Sequence, residues 1–178
     1  MEKIEIRRES PRDVTAIHEL TRQAFRDMPF AGGDEQEVID RLRSSGCLVL
    51  SLVAVIEQKV VGQVTFSNAT VADGTSPWFA LGPVAVAPHL QAMGIGSALI
   101  NRGLAEIKDL SALGCILTGN PNYYQRFGFV LAPRNVPANE PPEYFMLKLF
   151  TPRQPSGAFE FNKAFYGGQD GMPRWSGW

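Results

Sequence analysis

A chain of 178 residues with 44% hydrophobic content carries enough apolar material for one domain with its own core, so it needs no disulfide or metal staple to fold. A formal net charge of −1 leaves no basic footprint, and the clusters Arg7-Arg8 and Arg41-Leu42-Arg43 read as solvated faces, which argues against a nucleic-acid partner. Cys47 and Cys115 lie far apart in apolar runs without C-x-x-C or His in ligand spacing, the N-terminus is charged from the second residue, and the longest apolar run, Cys47 to Ile56, is too short for a bilayer; the expectation is a soluble, cytoplasmic protein with buried free thiols, no metal and no membrane partner.

Lys3 to Arg7 alternates as a half-buried strand does. Ser10-Pro11-Arg12-Asp13 opens a helix, with Ser10 as N-cap and Pro11 first, and Val14, Ile17, Thr21 and Ala24 carry helical spacing to about Phe25. A loop over 26–33 leads to a second helix from Asp34 to Ser45, acidic early and basic late, which Gly46 ends. Leu48 to Ile56 and Val60 to Ser67 form a hairpin around Glu57-Gln58-Lys59. The turn from Val71 to Trp78 feeds a buried strand, Phe79 to Val86, closed by Pro88. A long helix from Ser97 to Leu113 buries Ile100, Gly103, Leu104 and Ile107, with Gly114 beyond its end. Cys115 to Thr118 is a short strand, Asn120-Pro121 opens a short helix that stops at Gly128, and Phe129 to Ala132 and Tyr144 to Phe150 are closing strands. The order is that of a mixed α/β layer and not of a regular parallel repeat. Residues 151–178 are rich in Pro, Gly and aromatics and hold at most one strand, Ala158 to Phe161. Phe159, Phe161, Phe165, Tyr166, Trp175 and Trp178 are too many rings for a solvated tail, so this arm is expected to dock on the 1–150 domain or on a neighbouring subunit of a homodimer.

Gln91-Ala92-Met93-Gly94-Ile95-Gly96 sits where strand hands over to helix. First-turn N–H groups of a helix have no internal partner and point outward with the positive end of the macrodipole, so they receive anions. A G-x-G alone arises by chance roughly once in a chain of this length. The Gln three residues earlier and the strand-to-helix setting make it a signal. No Lys-Ser or Lys-Thr follows, as a P-loop requires, and Leu99 stands where a dinucleotide fingerprint carries Gly or Ala. Further on, Tyr123-Tyr124-Gln125-Arg126-Phe127-Gly128-Phe129 taken alone reads as an aromatic packing helix.

Together, Gln-x-x-Gly-x-Gly after a strand and Tyr-x-x-x-Gly-Phe after the next strand resemble the GNAT-type N-acetyltransferases. Within that superfamily the chain is similar to a bacterial branch that reads Leu-Gly-Pro-x-x-Val-x-Pro before the loop, here Leu81 to Pro88, and Tyr-Tyr-x-Arg-Phe-Gly-Phe after it. The resemblance runs from Glu2 to Phe150. It implies a mostly antiparallel twisted sheet with one splayed parallel pair and helices on both faces, and acetyl-CoA as co-substrate. It also implies that Val84, Ala85 and Val86 offer backbone groups to the pantetheine, and that Gln91, Ala92, Met93, Gly94, Ile95, Gly96 and Ser97 wrap the pyrophosphate. Tyr123 and Phe127 fall beside the coenzyme. Asn120 lies at the slot's mouth, where a bond to the coenzyme and a helix cap are equally good roles for it. Tyr124 falls on the family's general acid, with Tyr123 as fallback. A phenol of pKa near 10 can protonate a departing thiolate of pKa near 8.5 without prior ionisation.

The strand from Phe79 to Val86 contains no carboxylate, so no general base is named. Glu35, Glu37, Glu57 and Asp73 read as turn or solvent-facing residues, and His18 and His89 as structural or solvated. Two readings of function follow: acetyl transfer to a primary amine of a small molecule or protein, or an acyl-CoA-binding module without turnover. The acceptor is expected between loop 26–33, the second helix and turn 68–78, among Asp27, Phe30, Asp34, Glu35 and Trp78.

Overall fold

The apolar alternation of residues 48–56 and 59–71 builds a long antiparallel hairpin, β2 (Leu48–Ile56) and β3 (Lys59–Val71), around which the other elements assemble. The structure is a computed structural model that describes residues 2–29 and 31–167. In chain order the remaining elements are β1 (Glu5–Arg8), α1 (Val14–Phe25), α2 (Glu35–Ser44), β4 (Trp78–Val86), α3 (Ile95–Asp109), β5 (Gly114–Thr118), α4 (Pro121–Tyr124), β6 (Val130–Leu131), β7 (Phe145–Leu149) and β8 (Phe159–Glu160). Among the described residues the strands form one sheet in the order β1-β2-β3-β4-β5-β7-β6, with β8 added to β3. All neighbours are antiparallel except β4 and β5.

Strand alternation divides the core between two faces. Val53 and Val55 of β2 pack with Ile17 of α1 and Ile39 of α2. Ala54 points the other way, where Gly62 lies under Ile95 and Leu99 of α3. Helices therefore cover both faces, as the resemblance implied.

Several boundaries differ from the sequence reading, each for a local reason. α3 begins at Ile95 because Gly94, with φ 88, serves as its N-cap. It ends at Asp109 because Ser111 takes the left-handed conformation expected of Gly114. The Ser111 N–H bonds the Lys108 carbonyl and the Ala112 N–H the Ile107 carbonyl, closing a Schellman turn on a serine, while Gly114 opens β5. β3 runs on to Val71 because Ala69 pairs with Trp78 and Val71 with Phe159 of the arm. Cys115 is buried, but Cys47 is only half-buried. Of the arm, residues 151–167 lie against the same chain; Trp175 and Trp178 fall outside the described residues.

Candidate active site

Leu81-Gly82-Pro83 interrupts β4 in the middle of the sheet. Proline has no N–H for a ladder, and a Gly-Pro pair inside a strand marks a bulge. Val64 pairs with Val84 and Phe66 with Leu81, so β4 carries one more residue than β3 across this step. Gly82 has φ 122, a conformation that side-chain-bearing residues rarely adopt. Beyond the bulge β4 leaves β5: their parallel pairing covers only Trp78, Phe79 and Ala80 against Gly114, Cys115 and Ile116. The splay was expected; the bulge was not, although Gly82-Pro83 announces it.

Backbone direction in the splayed segment follows from one bond. The Ala87 N–H donates to the Val61 carbonyl of β3, so alternation turns Ala85 toward β3 as well, and Val84 and Val86 toward the opening. The Val86 carbonyl accordingly accepts from Gln91 Nε2 at 3.1 Å. Gln91 thus braces the loop that carries the glycines. Ala92 with φ 62 and Gly94 with φ 88 curl this loop so that α3 starts with its free N–H groups facing the gap. The N–H of Ala98 is the first to return to the loop, bonding the Gly94 carbonyl at 3.0 Å.

Opposite stands the short helix after β5. Asn120 caps it, its Oδ1 accepting the Asn122 N–H at 3.0 Å. Pro121 sits at the first position, and Gly128 with φ 89 ends the following 3-10 turn. Tyr124 points inward, 2% exposed, against the rings of Tyr123, Phe127 and Phe129. Burial pushes its phenol well above the ordinary range, and the neighbouring Tyr123 adds to this. Among the described residues its hydroxyl forms no hydrogen bond, which leaves a protonated donor without a protein acceptor.

These pieces enclose one cleft of about 580 Å³. Eleven of the fourteen expected residues line it: Val84, Val86, Gln91, Ala92, Gly94, Ile95, Gly96, Ser97, Asn120, Tyr123 and Tyr124. Three do not. Ala85 is buried, Phe127 packs in the core beneath the tyrosines, and Met93 is 68% exposed at the loop tip. Arg126 lines the cleft unassigned by the sequence reading, its guanidinium 4.4 Å from the Tyr123 ring centre and its Nε bonded to the Tyr123 carbonyl at 2.8 Å. The three-residue spacing of Tyr123 and Arg126 on a helix was the available signal. Met28 and Leu90 complete the wall.

The model of the acetyltransferase (GNAT) family matches residues 14–129, across the loop and the tyrosines. The chain belongs to the GNAT family of acetyltransferases. The uncharacterised N-acetyltransferase YhbS of Escherichia coli K12 is 32% identical over 128 residues, 71% of this chain and 74% of that protein. A GNAT family acetyltransferase from Brucella melitensis, solved in complex with acetyl-CoA, superposes with TM-score 0.82 at 37% identity over 93% of this chain and 99% of that one. The E. coli YhbS structure in complex with CoA gives TM-score 0.83 at 26% identity, covering 93% of each chain.

The acidic candidates sort themselves by environment. Glu57 lies in the β2–β3 turn. Asp73 holds its own turn, accepting from Thr75 N–H, Thr75 Oγ1 and Ser156 N–H. His18 pairs with Asp40 at 2.7 Å on a half-exposed face, and His89 is exposed. Glu35 corrects the expectation of a solvent-facing residue: it is 3% exposed and accepts the Gly32 and Gly33 N–H groups at 2.6 and 3.1 Å. Burial raises its carboxyl above the usual range, and those amides partly offset the effect. Trp78 is likewise core, edge-on to Phe159. Asp34 is tied to Arg41, Asp27 is exposed, and Phe30 lies outside the described residues. Among the described residues no group of His, Cys, Asp and Glu is suited to a metal ion, and no helix is long and apolar enough to cross a membrane.

Proposed function

We propose that this protein transfers an acetyl group from acetyl-CoA to a primary amine by direct attack within a ternary complex. The observation that carries the reading is the meeting, in one cleft, of the α3 N-terminus, the inward backbone of Val84 and Val86, and the buried hydroxyl of Tyr124. The acetyl-CoA complex of the Brucella relative supports the choice of coenzyme.

The cradle suits a diphosphate. A Cβ on Gly96 would lie 3.4 Å from the Tyr123 hydroxyl and 3.6 Å from Val86 Cγ2, narrowing the floor between loop and tyrosine. The Ile95, Gly96 and Ser97 amides and the Arg126 guanidinium supply the positive field. Acetyl-CoA brings the activated thioester. Val84 and Val86 orient the pantetheine through their free backbone groups, and an N–H of this strand polarises the carbonyl oxygen. As the neutral amine nitrogen bonds the carbonyl carbon and the carbon–sulfur bond breaks, Tyr124 donates its phenolic proton to the sulfur, the nitrogen releases its surplus proton to solvent, and the tyrosine recovers one from solvent. Its raised pKa keeps that proton in place until a basic thiolate develops.

Tyr124→Phe should lower kcat by roughly a hundredfold or more while CoA affinity stays within about twofold. Thiol release from acetyl-CoA across a panel of primary amines measures the first, and calorimetry with CoA the second. Full turnover in the variant would remove Tyr124 from the mechanism. CoA bound tightly with no turnover of any amine would instead make the domain an acyl-CoA-binding module.

A further inference from the structure

Beyond Ala80 and Ile116 the strands β4 and β5 no longer pair, so the sheet is parted there on both of its faces. Thr118, the last residue of β5, lies beyond the paired segment. Leu117 belongs to the core around Tyr124, whereas Ile116 belongs to the opposite cluster with Trp78 and Phe159, so alternation turns Thr118 to the face away from α3. Its Oγ1 donates to Glu140 Oε2 at 3.1 Å. The other oxygen, Oε1, accepts from the Tyr166 hydroxyl of the arm at 2.6 Å.

Glu140 differs from most of the shielded carboxylates among the described residues. Asp13 is neutralised by Arg7, Glu9 by Arg43, and Glu106 by Arg8 and Arg102. Glu35 has two backbone amides at the start of α2. Glu140 has two neutral hydroxyls and, among the described residues, no cation. A carboxylate withdrawn from water without a counter-charge is costly, and its carboxyl is accordingly held above the usual range by burial.

The same face carries polar groups where a sheet under helices is ordinarily apolar. Gln63, Thr65 and Ser67 of β3 are all fully buried on the side of Val53 and Val55. Among the described residues Gln63 Oε1 and Ser67 Oγ have no hydrogen-bond partner, and neither does Ser51 Oγ of β2 or Glu37 Oε2 of α2. The arm closes this side: Arg41 Nε donates to the Ala164 carbonyl at 2.9 Å, and Ala164 packs on Val38 and Leu42 of α2. Glu37 stands one turn before Arg41 on the same helix.

We infer that Glu140, positioned by Thr118 and by Tyr166 of the arm, is the anionic anchor for the protonated amine of the acceptor, which reaches the thioester from the face opposite α3 and gives up one proton to solvent before its neutral nitrogen attacks. This rests on the acetyltransfer reading for the identity of the ligand. The hydroxyl pair leaves lone pairs on both carboxylate oxygens for an ammonium. The unsatisfied oxygens of Gln63 and Ser67 lie on this same face of the sheet. Acceptor chemistry is thereby narrowed to a cation; a neutral arylamine or a hydroxyl gains nothing here.

The test is calorimetric and independent of turnover. Spermidine, 2-phenylethylamine and a lysine-containing peptide are titrated into full-length protein saturated with CoA, for wild type, Glu140→Gln and Tyr166→Phe, with melting curves to check folding. For an amine that binds wild type, the expected result is a loss of roughly tenfold or more in Glu140→Gln and a smaller loss in Tyr166→Phe, with CoA affinity unchanged in both. If turnover is seen, the KM for amine rises and that for acetyl-CoA does not. Equal amine binding by wild type and Glu140→Gln overturns the proposal, as does a wild type that binds none of the amines. If CoA itself fails to bind wild type, it is the acetyltransfer reading that falls.

Discussion

Asp13 accepts from Arg7 Nη1 at 2.7 Å, from the Ser10 N–H at 2.7 Å and from the Ser10 hydroxyl at 3.0 Å, so one carboxylate ties β1 to the entry of α1. Its side chain is 6% exposed. The Arg7 hydrogen bond, and then the Ser10 bonds, hold the carboxyl well below the usual range against the opposing cost of burial. A depressed folded pKa means that the stabilisation is complete above the unfolded value, near 3.9, and is lost as pH falls toward the folded one. Asp13→Asn should therefore cost about 2 kcal/mol in urea unfolding at neutral pH. The gap from wild type should close steadily in acid. A gap independent of pH would mean that the amide fails by its shape and not by its missing charge. Ser10 and Asp13 were legible as a helix start because capping is local; Arg7 as the partner was not, since only the β1–β2 register brings it there.

Gly103 sits in the middle of α3, where the 3.6-residue period correctly placed it on the buried face. The period gives the face but not the distance. A Cβ there would come within 2.2 Å of Phe66 Cε2 and 2.5 Å of Cζ, in a ring that is itself fully buried. In an open helix Gly→Ala gains about 1 kcal/mol from propensity, while overpacking a core costs about 1–3 kcal/mol. The contact decides the sign: Gly103→Ala should destabilise by about 1 kcal/mol net, read as a lower denaturant midpoint at unchanged slope. A higher midpoint would show that Phe66 moves aside freely. Elements whose signals lie within them, such as β2 and α1, were legible nearly to the residue. The end of α3 was not, because Ser111 gave no compositional warning of its left-handed turn.

At the scale of the molecule, the two halves of the candidate site differ in how far they could be read. The loop Gln91 to Ser97 and the pair Tyr123-Tyr124 are contiguous motifs, and the sheet order brings them to one cleft as their sequence context suggested. Glu140 lies in a Pro-rich connection with no pattern around it, and it acquires a meaning only when β5 and the arm reach it from opposite directions. Besides the contacts of Ala164 and Tyr166, residues 155–160 of the arm are tied to the rest of the chain. β8 pairs with β3, the Ser156 N–H bonds Asp73, and Asn135 Nδ2 donates to the Pro155 and Gly157 carbonyls at 3.2 and 2.8 Å. Asn135 is 8% exposed and Pro155 is buried, whereas Gly157 is exposed, so the Pro155 carbonyl depends on this amide more than the Gly157 carbonyl does. Asn135→Ala should cost about 1 kcal/mol, since the buried Pro155 carbonyl loses its donor while the exposed Gly157 carbonyl can turn to water. Because the contact joins the arm to the sheet and touches no part of α3, the loss should appear first as local opening. Amide exchange at Thr70 to Ala72, and proteolysis between 151 and 160, should accelerate before global unfolding does. Protection at residues 99–107 should fall only by the global amount. Equal acceleration at both places would mean that arm and sheet unfold as one unit, and the arm could not then open separately at the Tyr166 to Glu140 contact.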